Sequence, residues 1–353
     1  MIGSRLKRAR EACGYSLREL EAAIDGQVSA QAIGKYERDE MMPGSKALMA
    51  LAKALDVSAE YLMSTREIEL AGVDFRKAAH ASAKEEKCVE AAVLDQVERY
   101  LELEELFPQS SAEWVQPSSL SNFYVRSVDD AEKAADMLRQ EWELGEDPIP
   151  MMAELLEQKG VKVIALNLSG SVSGSKAYVR RAAAGDAPVI VVNSSHNGER
   201  QRFTLAHELA HLVLRCVDVD EEKAADRFAG AFFMARAMLL KLVGQNRSAI
   251  SIGELAELKK LFKVSIASIV VRCYQIGALT KAAYGRIWGQ IKASGWNSQN
   301  SDEPFAIPPE KPQRMERLCL RAVSEGAISY SKAAELLRMS VFDFEKLYLG
   351  HAA

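Results

Sequence analysis

Arg202-Phe203-Thr204-Leu205-Ala206-His207-Glu208-Leu209-Ala210-His211-Leu212-Val213-Leu214 is the stretch that decides how this chain folds and what it carries. Its middle spells H-E-L-A-H, with apolar residues at helical spacing around it. On an α-helix, positions four apart lie one above the other on the same face. His207 and His211 therefore offer two imidazoles to one metal ion, and Glu208 lies beside them, near any water on that ion. Metal-assisted hydrolysis needs these parts: neutral nitrogen ligands, an open coordination position and a carboxylate to take the water's proton.

A third ligand is expected from the next helix. Asp218, Asp220, Glu221 and Glu222 precede the apolar run from Ala224 to Met234. A carboxylate in a helix's first turn is favoured by the dipole and can point back at the metal. From Glu222 the same face continues through Ala225, Asp226 and Ala229, small enough for two helices to approach closely. Spacing alone leaves Glu221 and Glu222 equal.

The block from Arg202 to Met234 resembles the ImmA/IrrE family of zinc metallopeptidases (the DUF955 type). Its members show R-F-T-L-A-H-E-x-x-H, then E-x-x-A-x-x-F-A, then an apolar L-M-P. The second motif falls on Glu222, Ala225, Phe228 and Ala229, so the resemblance implies Glu222 as third ligand and Glu208 as general base. The closing proline is Ala235 here, away from the metal. The implied cofactor is Zn²⁺, with Mn²⁺ or Fe²⁺ compatible with the same donors. Asp226, one turn beyond Glu222, is placed to orient a ligand histidine through its ring N–H. By analogy, Tyr178 and Asn193 line a substrate cleft. Cys216, shortly after His211, reads as a packed thiol rather than a ligand.

Outward from this block, residues 126–245 read as a small α+β domain: helices Val128 to Leu144 and Pro150 to Gly160, three short strands, then the two ligand helices. The strands are Val161 to Leu166, Ser175 to Val179 and Val189 to Val192, rich in β-branched residues.

Residues 1–65 read as five short helices. Ser16 with Glu19 forms a capping box and Ser29 starts the third helix. The pattern from Pro43 through Leu48, Leu51-Ala52, Ala54-Leu55 and Val57-Ser58 resembles the Xre/Cro-type helix-turn-helix. In such domains the second helix of the motif enters the major groove. That assigns Ser29, Ala30, Gln31 and Lys35 to base edges, with Arg5 or Arg38 near phosphates. The turn Asp25-Gly26-Gln27-Val28 is about two residues longer than the family's usual L-G-I-S, and the domain's charge is balanced.

Residues 66–125 read as a helical connector: Glu67 to Lys77, then a charged helix from Ala83 to Leu106 whose apolar stripe faces the peptidase domain or a second copy. Residues 246–300 read as a helical extension. A polar, proline-rich break follows, and 301–353 form a small helical module with helix-turn-helix rhythm but no basic face. The fold class is thus mainly α with one small α+β domain.

The chain has 353 residues, 48% hydrophobic and 27% charged, with net charge −4. It suits two or three domains with real cores and, taken whole, carries no basic excess. Five scattered cysteines without CxxC spacing read as reduced thiols, and no apolar run approaches the ~20 residues of a spanning helix. With no signal-peptide pattern at the start, a cytoplasmic protein is expected. The family resemblance implies a DNA-binding regulator with a built-in peptidase that cuts itself, a sister copy or a partner repressor, with a double-stranded operator and a homodimer as partners. The other reading is a repressor or antitoxin whose metal-site domain binds or senses a partner, such as a toxin, with little proteolysis.

Overall fold

The computed structural model describes residues 2–63, 69–71, 83–110, 112–168, 174–180, 186–298 and 303–350. Helix α6 (Ala83–Glu105) is the element the others pack around. A helix apolar on one face alone lies at a surface, whereas one clad on several faces is buried. Val93, Leu94, Val97 and Leu101 of α6 pack on a sheet. Tyr100 and Leu103 pack on a C-terminal helical cluster. Buried Glu98 meets the N-terminal domain through ion pairs with Arg5 and Arg8, while buried Asp95 pairs with Arg338 of the C-terminal cluster.

That N-terminal domain consists of α1 (Ile2–Ala12), α2 (Leu17–Ala23), α3 (Ala30–Glu37), α4 (Ser45–Ala54) and α5 (Ala59–Met63) around a core of its own. The Ser16–Glu19 capping box opens α2, and the Ser29 hydroxyl caps α3 by accepting from Ala32 N. Between them Asp25 and Gly26 take positive φ, which closes the long turn. Arg5 pairs with Glu98 in a buried contact and lies over the Tyr61 ring. The expectation that Arg5 reaches phosphates is therefore corrected: the guanidinium is spent inside the molecule.

The sheet has four strands in the order β1-β4-β5-β3, from β1 (Glu69–Ala71), β3 (Lys162–Leu166), β4 (Gly174–Arg180) and β5 (Ala187–Asn193). Three strands were expected; the fourth comes from the connector. Residues 69–71, expected within a helix, pair antiparallel with Tyr178–Arg180. The rest of that expected helix lies outside the described residues. Side chains alternate across the strands: Val189 and Val191 face α6, while Ile190 and Val192 face the metal helix side.

On that second side lie α7 (Val128–Glu141), α8 (Met152–Gln158), α9 (Gly198–Val213), α10 (Glu221–Phe233) and α11 (Arg236–Val243). Two short strands, β2 (Tyr124–Val125) and β6 (Arg215–Cys216), pair in parallel next to them. Ala235 ends α10 with φ −53°, the backbone a proline would impose. Arg272, buried and bidentate to Glu132, donates to the Met234 carbonyl and holds that helix end instead.

The helices α12 (Ile252–Phe262), α13 (Ile266–Gln275) and α14 (Lys281–Ala293) share one continuous core with α7–α11, so this helical extension is part of that body and not an appendage. The proline-rich stretch is also not a free break. Residues 303–313 run as a strap across the start of α9. Glu303 accepts from Ile266 N and pairs with Lys259, and Glu310 accepts from Met152 N and Ala153 N and pairs with Arg202. Gly198 makes this crossing feasible, since a Cβ there would sit 2.3 Å from the Pro308 carbonyl oxygen. The strap leads to α15 (Arg314–Ser324), α16 (Tyr330–Leu337) and α17 (Val341–Tyr348), which close on α6.

Candidate metal centre and nucleic-acid interface

Asn197 caps α9, accepting from Arg200 N, and the buried leucines and alanines from Leu205 to Leu212 fix which face turns inward. The opposite face carries His207 and His211. Asp220 caps α10 by accepting from Glu222 N and Lys223 N. Its first turn thus sets Glu222 opposite the two rings. His207 Nε2 is 3.1 Å from His211 Nε2 and 3.2 Å from one oxygen of Glu222, and His211 Nε2 is 3.5 Å from the other.

These separations fit a zinc ion. Ligand atoms about 2.0–2.1 Å from a tetrahedral centre stand about 3.3–3.4 Å from one another. The donor chemistry agrees, because His207 Nδ1 lies 2.9 Å from Asp226 Oδ1. With Nδ1 carrying the proton toward that carboxylate, Nε2 keeps its lone pair for the centre. Burial pulls the His207 imidazole down, but the Asp226 hydrogen bond and the charges of Asp226, Glu208 and Glu222 outweigh it and leave its pKa above the ordinary value. His211 is 9% exposed and Glu222 52%, so the cluster is closed on the helix side and open to solvent on the other. A hydrolytic centre needs such an open side.

Glu208, half-buried, faces the start of β4. A Cβ at Gly174 would stand 2.4 Å from Thr204 Cγ2 and 3.8 Å from Glu208 Cγ, so glycine lets the strand pass against the helix here. Lys176, two residues on, donates to the His211 carbonyl at 2.8 Å and caps the helix's C-terminal end. Sequence reading missed both residues, because nothing near Gly174 in the chain marks a close approach.

Other expectations fare differently. Asn193 is fully buried and its amide clips a loop, bonding Leu168 N and O and Ser195 N, so it lines no cleft. Tyr178 shares the β4 face of Gly174 and Lys176, packs half-buried against the main core and stands opposite Ala71 of β1. Cys216 sits in β6, its thiol pushed up by burial, and stands apart from the three converging donors.

At the helix-turn-helix, Ser29, Gln31, Lys35 and Arg38 are exposed and Ala30 half-buried. Gln31 and Lys35, one turn apart, lie on the same outer face of α3. Ser29 is engaged as its cap, and Arg38 pairs with Glu40 at 2.6 Å in an exposed bridge. Arg10 is clamped to Glu37, and Arg5 and Arg8 are paired with Glu98 of α6.

Residues 6–62 match the helix-turn-helix family, and residues 156–274 match the IrrE N-terminal-like domain, a peptidase family. The chain thus carries a helix-turn-helix domain at its N-terminal end and an IrrE-like, metallopeptidase-like domain after it. The IrrE-like match continues past residue 245 to 274, in line with the shared core of α7–α14. The chain is also 34% identical over 67 residues to the HTH-type transcriptional regulator ImmR of Bacillus subtilis (strain 168). That similarity covers 19% of this chain, which spans about half the length of ImmR. Among the described residues, no helix is long and apolar enough to cross a membrane.

Proposed function

We propose that this chain is a DNA-binding transcriptional regulator whose IrrE-like domain is a zinc endopeptidase acting on an extended polypeptide. The observation that carries the reading is the convergence of His207, His211 and Glu222 beside Glu208, on an otherwise closed helix face. A zinc ion held by these three residues would supply Lewis acidity to a water and to the scissile carbonyl. Glu208 accepts the attacking water's proton and returns it to the leaving amine as the C–N bond breaks. Asp226 holds the His207 ring in the required tautomer. The ImmR relative, by its name a transcriptional regulator, supports the regulatory half, as does the exposed Gln31 and Lys35 face of α3. A duplex operator is read there in the major groove, with a homodimer matching a two-fold site. Residues 1–65 serve as its DNA-binding domain and 126–300 as the peptidase body.

The deciding experiment is Glu208→Gln, assayed for hydrolysis of unfolded casein, for zinc content and for operator binding. Cleavage is expected to fall by about 10²-fold or more, with zinc and DNA binding retained. Wild-type activity in the zinc-free protein, or full activity in Glu208→Gln, would overturn the reading. If zinc-ligand substitutions altered repression while Glu208→Gln altered nothing, the metal domain would be a sensor.

A further inference from the structure

From Leu258 to Ser301 the chain has seven Lys or Arg and no Asp or Glu, although acidic residues outnumber basic ones over the whole sequence. Four of the seven are spent within the molecule. Lys259 pairs with Glu199 and Glu303, Arg272 with Glu132 and Lys260 with Glu257, while Lys263 donates to the Pro150 carbonyl. The other three, Lys281, Arg286 and Lys292, lie exposed on α14. Arg286 donates to the Ser248 carbonyl, and none of the three has an ion pair among the described residues. Arg247, whose carbonyl accepts from Thr280 N at the start of α14, takes up the Glu254 carboxylate.

Beside these cations stands a column of rings. Tyr274 of α13 stacks on Tyr284, with centroids 4.5 Å apart and planes 22° off parallel, and Tyr284 stacks on Trp288 at 5.7 Å and 18°. Tyr274, the end ring, is 39% exposed. Helical periodicity puts Lys281, Trp288 and Lys292 side by side, with Gly285 and Gly289 next to them and Arg286 across the same face. A glycine inside a helix destabilises it relative to alanine. A Cβ on either glycine would meet nothing within 4 Å, so no neighbour within the chain calls for them. What they provide is close approach from outside.

Rings, cations and a smooth floor together match one kind of partner. Single strands are bound by a positive track for the phosphates and aromatic rings for the bases. A duplex keeps its base faces in its own stack and has no use for the rings. A second copy of this chain fits poorly, because a two-fold contact would set the same three cations against their own images. We infer that the α13–α14 face is a binding site for single-stranded nucleic acid, apart from the duplex-reading face of α3. Lys281, Arg286 and Lys292 hold phosphates, and unpaired bases extend the Tyr274–Tyr284–Trp288 column.

The test is fluorescence anisotropy of the full chain with a labelled oligothymidylate of about 20 nucleotides, beside a duplex and an abasic strand of equal length. The oligothymidylate is expected to bind more tightly than the abasic strand, and Gln31→Ala with Lys35→Ala, on α3, to leave that affinity unchanged. Lys281→Gln with Lys292→Gln should reduce the slope of log affinity against log salt by about 1.4, at about 0.7 per phosphate contact on a single strand. Tyr274→Ala should weaken binding about tenfold. Gly285→Ala with Gly289→Ala should raise the melting temperature and still weaken binding, a combination that loss of folding cannot produce. Three results would each overturn the inference: equal affinity for the abasic strand, tighter binding of the duplex by the α3 variant, or an oligothymidylate affinity that no change on α13 or α14 alters.

Discussion

Asp226 touches no metal in its proposed role, yet its carboxylate lies 2.9 Å from His207 Nδ1, where it favours a proton on that nitrogen. Such outer partners commonly contribute 10–100-fold to metal affinity. Asp226→Asn is accordingly expected to weaken zinc binding by about that factor, read by competition with a chromophoric chelator, without unfolding a residue so exposed. The H-E-L-A-H pentad made this site readable because two proposed ligands and the proposed base sit within one helical turn. Choosing Glu222 over Glu221 needed the resemblance, since both carboxylates sit in the same first turn of α10. Gly174 and Lys176 were unreadable for a different reason. Their roles arise from a strand crossing a helix about thirty residues away, and periodicity carries no information about that crossing.

Among elements, the strap of residues 303–313 differs most from its sequence impression. Prolines and polar residues suggested a loose break, but Glu310, Glu303 and the backbone of Gln313 and Arg314 are all engaged. Local composition reports that a segment is neither helix nor strand, and does not report whether it is buried. The strap also creates a titrating site. Glu157 is buried beneath it, accepts from Gln313 N and Arg314 N, and has its carboxyl pushed up by burial to about 7 from an ordinary 4.5. Between those values the folded chain keeps a proton that the unfolded chain has released. Stability should therefore decline as pH rises from about 4.5 to about 7, by up to about 3 kcal/mol. Glu157→Gln should flatten that slope, checked by urea denaturation at pH 5 and pH 8. The strand β1 was equally hidden: Glu69–Ala71 lies in a stretch with helical composition, and only the waiting edge of β4 makes it extended.

At the level of the whole molecule, α6 joins the helix-turn-helix domain, the sheet and the C-terminal cluster. The amphipathic stripe announced packing, but one stripe could not announce three partners. The joint to the DNA-binding domain is mainly ionic: Arg5 and Arg8 on Glu98, Arg338 on Asp95 and on the Asp56 carbonyl, and Ser58 donating to Glu335. Removing one partner of a buried pair costs about 3–5 kcal/mol through the charge left behind. Glu98→Ala should thus let the N-terminal domain undock so that Arg5 regains water. Small-angle scattering would register a larger radius of gyration, and an unchanged radius would contradict the expectation.

That joint gains further meaning from how it is tethered. While the chain is continuous, α1 and α6 meet at an effective concentration of about millimolar order, so even a weak ionic seat stays filled. Raising ionic strength screens the exposed rim of that seat far more than its buried pairs. Its occupancy therefore answers to salt and hardly at all to protein concentration, so opening and reseating are events within one chain.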